Sequence, residues 1–170
     1  TLGHDRNVSS IGVFFIMIQC EFTTPHTIGF YSLHPNARLP EKKTEGAACF
    51  DLYACVDEPL KLNPKERVLV PTGFIMKIPD GYSVRIHTRS GMAAKKGIGL
   101  SVSEGIIDSD YVEEVFVPMV NNTDKIFHIR DGDRVAQCEL VKNVSTKVEW
   151  IEERPMPHGG RDGGFGSTGK

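Results

Sequence analysis

The chain has 170 residues, enough for one domain with a substantial core. Charged residues make up 25% and the formal net charge is −2, which removes any global electrostatic pull toward nucleic acid or an acidic membrane, so neither is expected as a partner. Cys20, Cys49, Cys55 and Cys138 form no C-x-x-C pair and the histidines have no H-x-x-H spacing, so no disulfide or zinc framework is legible and a reducing compartment, cytoplasm or nucleus, is expected.

Residues 1–27 read as an N-terminal extension. Within it Ile11 to Cys20, IGVFFIMIQC, is apolar but too short to span a bilayer. It suits a buried or exchanged strand, a disordered extension, or the apolar part of an organelle-targeting segment. From residue 28 to 154 short strand-like runs recur between turn residues: Thr27–Leu33, Cys49–Ala54, Arg67–Pro71, Tyr82–His87, Val115–Asn121, Lys125–Ile129, Arg134–Val141 and Thr146–Ile151. Tyr82, Val84 and Ile86 alternate with Ser83, Arg85 and His87, and Thr146, Val148 and Trp150 alternate with Lys147 and Glu149. That period, with turns such as Pro71-Thr72-Gly73 and Asp131-Gly132-Asp133, predicts an all-β sandwich or barrel. Gly91–Lys96 is the one helical-looking stretch. Residues 155–170 form a Gly-rich tail that cannot build a core.

Several segments carry chemistry. In the tail, glycines admit an anion to backbone N–H groups, Ser167 and Thr168 add hydroxyls, Arg161 offers a forked phosphate contact and Phe165 a ring. The tail therefore reads either as a disordered terminus or as a lid over a phosphorylated, ring-bearing ligand. Gly164 to Lys170 resembles half of a Walker A loop, but no strand precedes it and no helix follows. Arg89-Ser90-Gly91, where a strand gives way to a helix, reads as an anion site or an ordinary cap. Gly105 to Tyr111 places Asp108 and Asp110 in a turn, where an Asp either orients a water or simply makes the turn. Asp51 lies inside the apolar run Ala47–Ala54 and needs a partner or a metal.

Taken in order, these segments resemble the five motifs of the trimeric dUTPase family: Ala47-Ala48-Cys49-Phe50-Asp51-Leu52-Tyr53-Ala54, Arg89-Ser90-Gly91-Met92-Ala93, Gly105-Ile106-Ile107-Asp108-Ser109-Asp110-Tyr111, Gly132-Asp133-Arg134-Val135-Ala136-Gln137 and Gly163-Gly164-Phe165-Gly166-Ser167-Thr168-Gly169. The resemblance runs from about Phe30 to the C-terminus. It implies a distorted, jelly-roll-like β-sandwich or barrel protomer of a homotrimer with shared active sites, hydrolysing dUTP to dUMP and pyrophosphate with Mg²⁺. It further implies that Asp108 activates the water that attacks the α-phosphorus and that Tyr111 lies beneath the deoxyribose. Backbone around Gly105, Ile107 and Phe116 would read uracil, and Arg89, Ser90, Gly91 and Gln137 would hold phosphates. Asp51 would touch Mg²⁺ through water. Phe165, with Gly166, Ser167 and Thr168, would close over the nucleotide, and Arg161 would reach the γ-phosphate. Thr88 departs from the common Pro of the second motif, Cys49-Phe50 from the common Gly-Tyr of the first, and Val112-Glu113 from the Arg-Gly that often follows the third.

The nearest rival of the same fold is a dCTP deaminase, whose catalytic Glu would fall at Pro118, a residue that transfers no proton. A non-catalytic regulatory module is the rival from another class, and intact Asp108, Tyr111 and Phe165 argue against it.

Overall fold

The computed structural model describes residues 26–156. Eleven strands and one short helix follow in chain order: β1 (Gly29–Ser32), β2 (Phe50–Tyr53), β3 (Leu60–Leu62), β4 (Arg67–Pro71), β5 (Phe74–Lys77), β6 (Tyr82–His87), α1 (Ser90–Lys96), β7 (Ile98–Leu100), β8 (Gly105–Ile107), β9 (Phe116–Asn121), β10 (Phe127–Ile129) and β11 (Arg134–Lys142). The all-β expectation holds. Pairing is antiparallel throughout, in a four-stranded sheet β2-β11-β6-β8, a three-stranded sheet β4-β9-β7 and the pairs β1-β5 and β10-β3. Leu52, Val84 and Ile86 from the first sheet and Val70, Ile98, Val117 and Met119 from the second are buried in one common core. No helix among the described residues is long and apolar enough to cross a membrane.

Polar groups within this core are bonded. Asn121 is fully buried at the end of β9. Its Nδ2 donates to the carbonyls of Leu62 at 3.1 Å and Lys125 at 2.7 Å, and its Oδ1 accepts from the Thr123 N–H and hydroxyl. That network spends residues 122–126 on a turn, so β10 begins at Phe127 and not at Lys125. Gly73, between β4 and β5, has φ 75°, and a Cβ there would stand 2.7 Å from the Cys55 thiol. Gly73→Ala combines a left-handed backbone with overpacking and is expected to destabilise the protomer by about 2–4 kcal/mol, read as a lower urea midpoint at unchanged slope.

One expected strand is missing. Thr146–Ile151 forms no strand in the protomer, and Val148 and Trp150 are almost wholly exposed. Its alternation is real, but among the described residues no strand lies beside it to bury the apolar side. The turn expected at Asp108 and Asp110 is present, but it does not close a two-stranded hairpin. β8 pairs with β6 while β9 pairs with β4 and β7, so the chain crosses from one sheet to the other through the turn at Asp108–Tyr111. Among the described residues, strand β8 is thereby an edge, with one side paired to β6 and the other open.

Candidate active site

β11 sits at the centre of the four-stranded sheet, and Gln137 on it lies opposite both Asp51 of β2 and His87 of β6. Paired residues share a face, so Gln137 and Asp51 present their side chains together. Arg134 lies three residues before Gln137 and would fall on the other face of a regular strand. The register shifts between Arg134 and Ala136, where consecutive Val135 and Ala136 are both buried. This bulge resets the alternation and brings Arg134 to the face of Asp51 and Gln137.

The result is a cleft of about 200 Å³ lined by Lys43, Ala47, Cys49, Asp51, Arg89, Ser90, Gly91, Arg134 and Gln137. The Asp51 side chain is only 11% exposed. One oxygen accepts from Arg89 Nε at 3.1 Å and the other from Arg134 Nη1 at 3.0 Å. The partner that the sequence demands for this carboxylate is therefore a pair of guanidinium groups. Arg89 also donates through Nη1 to the Arg134 carbonyl at 3.0 Å. Lys43 reaches the cleft because the backbone N–H of Asp51 donates to the Glu41 carbonyl at 2.9 Å, lashing that loop to β2. The Glu41 carboxylate pairs with Lys43 and accepts from the Tyr53 hydroxyl, and these contacts hold its carboxyl below the usual range.

Arg89 is the N-cap of α1 and makes no side-chain cap bond, so the first-turn N–H groups of Ser90 and Gly91, two residues that line the cleft, have no side-chain cap acceptor. Thr88 takes over a fastening role: its hydroxyl accepts the Leu100 N–H at 2.9 Å and ties the strand-to-helix junction to β7. Lys95 and Lys96 in the last turn complement the helix dipole. With Arg89 and Arg134 against Asp51, and Lys43 against Glu41 at the rim, the cleft keeps an excess of guanidinium donors and suits a polyphosphate.

Asp51, Arg89, Ser90, Gly91 and Gln137 thus converge, as the motifs imply. Gly105, Ile107, Asp108, Tyr111 and Phe116 form no part of this cleft. They run along the open edge of β8 and the crossover after it, where Asp108, Tyr111 and Phe116 are exposed. The crossover is pinned at two points: the Tyr111 hydroxyl donates to the Glu114 carbonyl at 2.9 Å, and the Glu114 carboxylate accepts the Gly73 N–H at 2.9 Å. Arg161, Phe165, Gly166, Ser167 and Thr168 lie outside the described residues. Lys43, Cys49 and Arg134 line the cleft without having been given a role from sequence. For Arg134 the signal was its place two residues after Gly132, but its orientation depends on a bulge.

Cys49 faces this cleft, and burial pushes its thiol up, with the Glu139 and Asp51 carboxylates acting in the same direction. Burial pushes Cys138 up to about 12. Both should remain thiols at neutral pH. Alkylation of Cys49 by iodoacetamide, followed by mass spectrometry, is expected to run well below the rate of a free thiol at pH 8 and to climb only as the pH passes the ordinary thiol range.

A family model described as dUTPase matches residues 35–169. This chain belongs to the dUTPase family. It is 44% identical over 138 residues to the deoxyuridine 5'-triphosphate nucleotidohydrolase of Hydrogenobaculum sp., covering 81% of this chain and 94% of that one. The Wolbachia pipientis wMel enzyme of the same name is 45% identical over 135 residues, 78% of this chain and 87% of that one. Among solved structures, a Streptococcus mutans dUTPase shares 30% identity with a TM-score of 0.65, over 71% of this chain and 99% of its own. A phage phi11 dUTPase of S. aureus, described with a coordinated structural Mg(II) ion, has the same fold at a TM-score of 0.70 and 23% identity, over 77% of this chain and all of its own.

Proposed function

We propose that this chain hydrolyses dUTP to dUMP and pyrophosphate by attack of water on the α-phosphorus, lowering dUTP and supplying dUMP for dTMP synthesis. The observation that carries the reading is the cationic cleft of Arg89, Arg134 and Lys43, with Ser90 and Gln137, in a member of the dUTPase family. Arg89, Ser90, Gly91 and Gln137 hold the phosphates. The open edge of β8 offers unpaired backbone donors and acceptors to the uracil edge at Gly105 and Ile107, with Phe116 beside them. A readout of that kind rejects cytosine, whose donor and acceptor pattern is reversed. Tyr111 lies under the deoxyribose, and Asp108 takes a proton from the attacking water. Phe165 and Arg161 of the tail, with Gly166, Ser167 and Thr168, close over the bound nucleotide.

Among the described residues no group of three His, Cys, Asp or Glu side chains could hold a metal. Asp51 is the single carboxylate of the cleft, and each of its oxygens keeps a lone pair beyond its arginine bond. The donor set fits Mg²⁺ carried in by the triphosphate and touched by Asp51 only through water, the usual manner for this ion. When bound, the ion neutralises charge on the phosphate oxygens.

Phosphate and uracil residues that lie apart on one protomer favour a homotrimer in which each site is shared between copies. The arm beyond β11 supports it, because Val144, Val148, Trp150 and Ile151 are exposed to water on a single protomer. Free thiols at Cys49, Cys55 and Cys138 suit the cytoplasm or nucleus. The deciding assay offers dUTP, dCTP, dTTP and UTP separately and measures pyrophosphate. Release from dUTP alone is expected, and release of ammonia from dCTP, or no release from dUTP, would overturn the reading. Light scattering should give about three times the 18.8 kDa of one chain, and a fully active monomer would refute the shared sites.

A further inference from the structure

The Asp51 carboxylate is spent before any ligand arrives. It bridges a guanidinium that follows β6 and another that opens β11, at 3.1 and 3.0 Å, and the Arg89 fork is braced again on the Arg134 carbonyl. Two long, flexible side chains are thereby fixed side by side at the wall of a small cleft. Each guanidinium has five N–H donors, and the bonds to Asp51 and the backbone leave most of them free. Held arginines lose little further freedom on binding, so the ordering cost falls on the fold and not on the ligand. The bulge before Ala136 exists on the same strand and is what turns Arg134 to this face.

We propose that Asp51 is a positioning residue whose main work is to aim Arg89 and Arg134 at the polyphosphate, and that Arg134 is a further phosphate-binding residue. The proposal rests on the dUTP reading for the identity of the ligand. It assigns Asp51 an effect that needs no metal.

Charge alone predicts the opposite of this proposal. Removing one negative charge from a cleft that binds an anion should tighten binding by Coulomb attraction. Loss of the clamp should weaken it, because both arginines are released to move.

The test is calorimetry in EDTA, with pyrophosphate, a non-hydrolysable α,β-imido dUTP and deoxyuridine as separate ligands. Asp51→Asn is expected to weaken pyrophosphate and the imido nucleotide by about tenfold or more and to leave deoxyuridine unchanged. Arg134→Gln should give a similar loss, and the double variant should be little worse than either alone, since the two act as one unit. Arg134→Lys should not restore affinity, because an ammonium lacks the fork. Equal or tighter pyrophosphate binding by Asp51→Asn in EDTA, or a loss that appears only when Mg²⁺ is added, would overturn the proposal. An equal loss for deoxyuridine would mark a structural defect and also overturn it. If Asp51→Asn does not fold, Arg134→Gln decides alone, and unchanged pyrophosphate affinity refutes the clamp. A wild-type protein that binds pyrophosphate but not deoxyuridine or the imido nucleotide would sink the dUTP reading and leave the clamp standing.

Discussion

Asp108→Asn is expected to lower turnover about a hundredfold or more while the protein still folds and still binds nucleotide. The residue is exposed in the turn that closes strand β8, and that turn is held by backbone, with the Tyr111 N–H donating to the Asp108 carbonyl at 3.2 Å. Asn keeps the shape and the carbonyl oxygen but cannot accept the proton of an attacking water. The loss should therefore fall on kcat, with KM little changed. Steady-state kinetics on dUTP, together with calorimetry against the imido analogue, separate the two. A variant with near-normal kcat would mean that another group takes the proton.

Deleting residues 157–170 should depress kcat to a similar degree and leave the β-domain folded and able to bind dUMP. Glycine dominates this segment and Phe165 is its one large apolar side chain, a composition that offers the β-domain little to pack against and a ligand ring one surface to stack on. Closure would exclude water from the triphosphate and strengthen its contacts with the arginines. Phe165 stacking on the base should contribute on the order of 1 kcal/mol. The shared-site arrangement adds a sharper outcome. A tail-deleted protein mixed with Asp108→Asn should recover part of the lost activity once subunits exchange, because some mixed sites draw an intact Asp108 and an intact tail from different chains. Absence of recovery after proven exchange would show that both groups serve a site from the same chain.

What the sequence revealed depended on how local each signal was. Arg67–Pro71 and Tyr82–His87 match their observed strands residue for residue, because a short β-branched apolar run bounded by turn residues, and an alternation over six positions, are each read directly from the chain. The helix begins one residue earlier than its expected start, at Ser90, since Arg89 caps it by backbone alone. Strands β3, β7 and β8 have three residues each, too few for a period to show. Thr146–Ile151 alternates as a strand should, yet pairing is a property of two segments, and among the described residues only one is present. The need of Asp51 for a partner was legible from its apolar neighbours, but the identity of that partner was not. Arg134 reaches it through a bulge, and Lys43 reaches the cleft through a backbone bridge between Glu41, two residues before it, and Asp51. Neither contact leaves a mark on sequence spacing.

The open side of β8 has a cost as well as a use. An unpaired strand edge is a template on which another chain can add itself, and repeated addition leads to insoluble aggregates. Here the exposed edge is only Gly105–Ile107, with Glu104 before it and Asp108 and Asp110 after it. Three residues give an incoming strand few bonds, and the flanking carboxylates repel an identical copy of themselves. The same brevity that hides β8 from sequence patterning thus limits pairing of this edge with another chain. Lengthening this strand with β-branched residues in place of Glu104 and Asp108 would remove that protection and favour fibrous assembly over a closed oligomer.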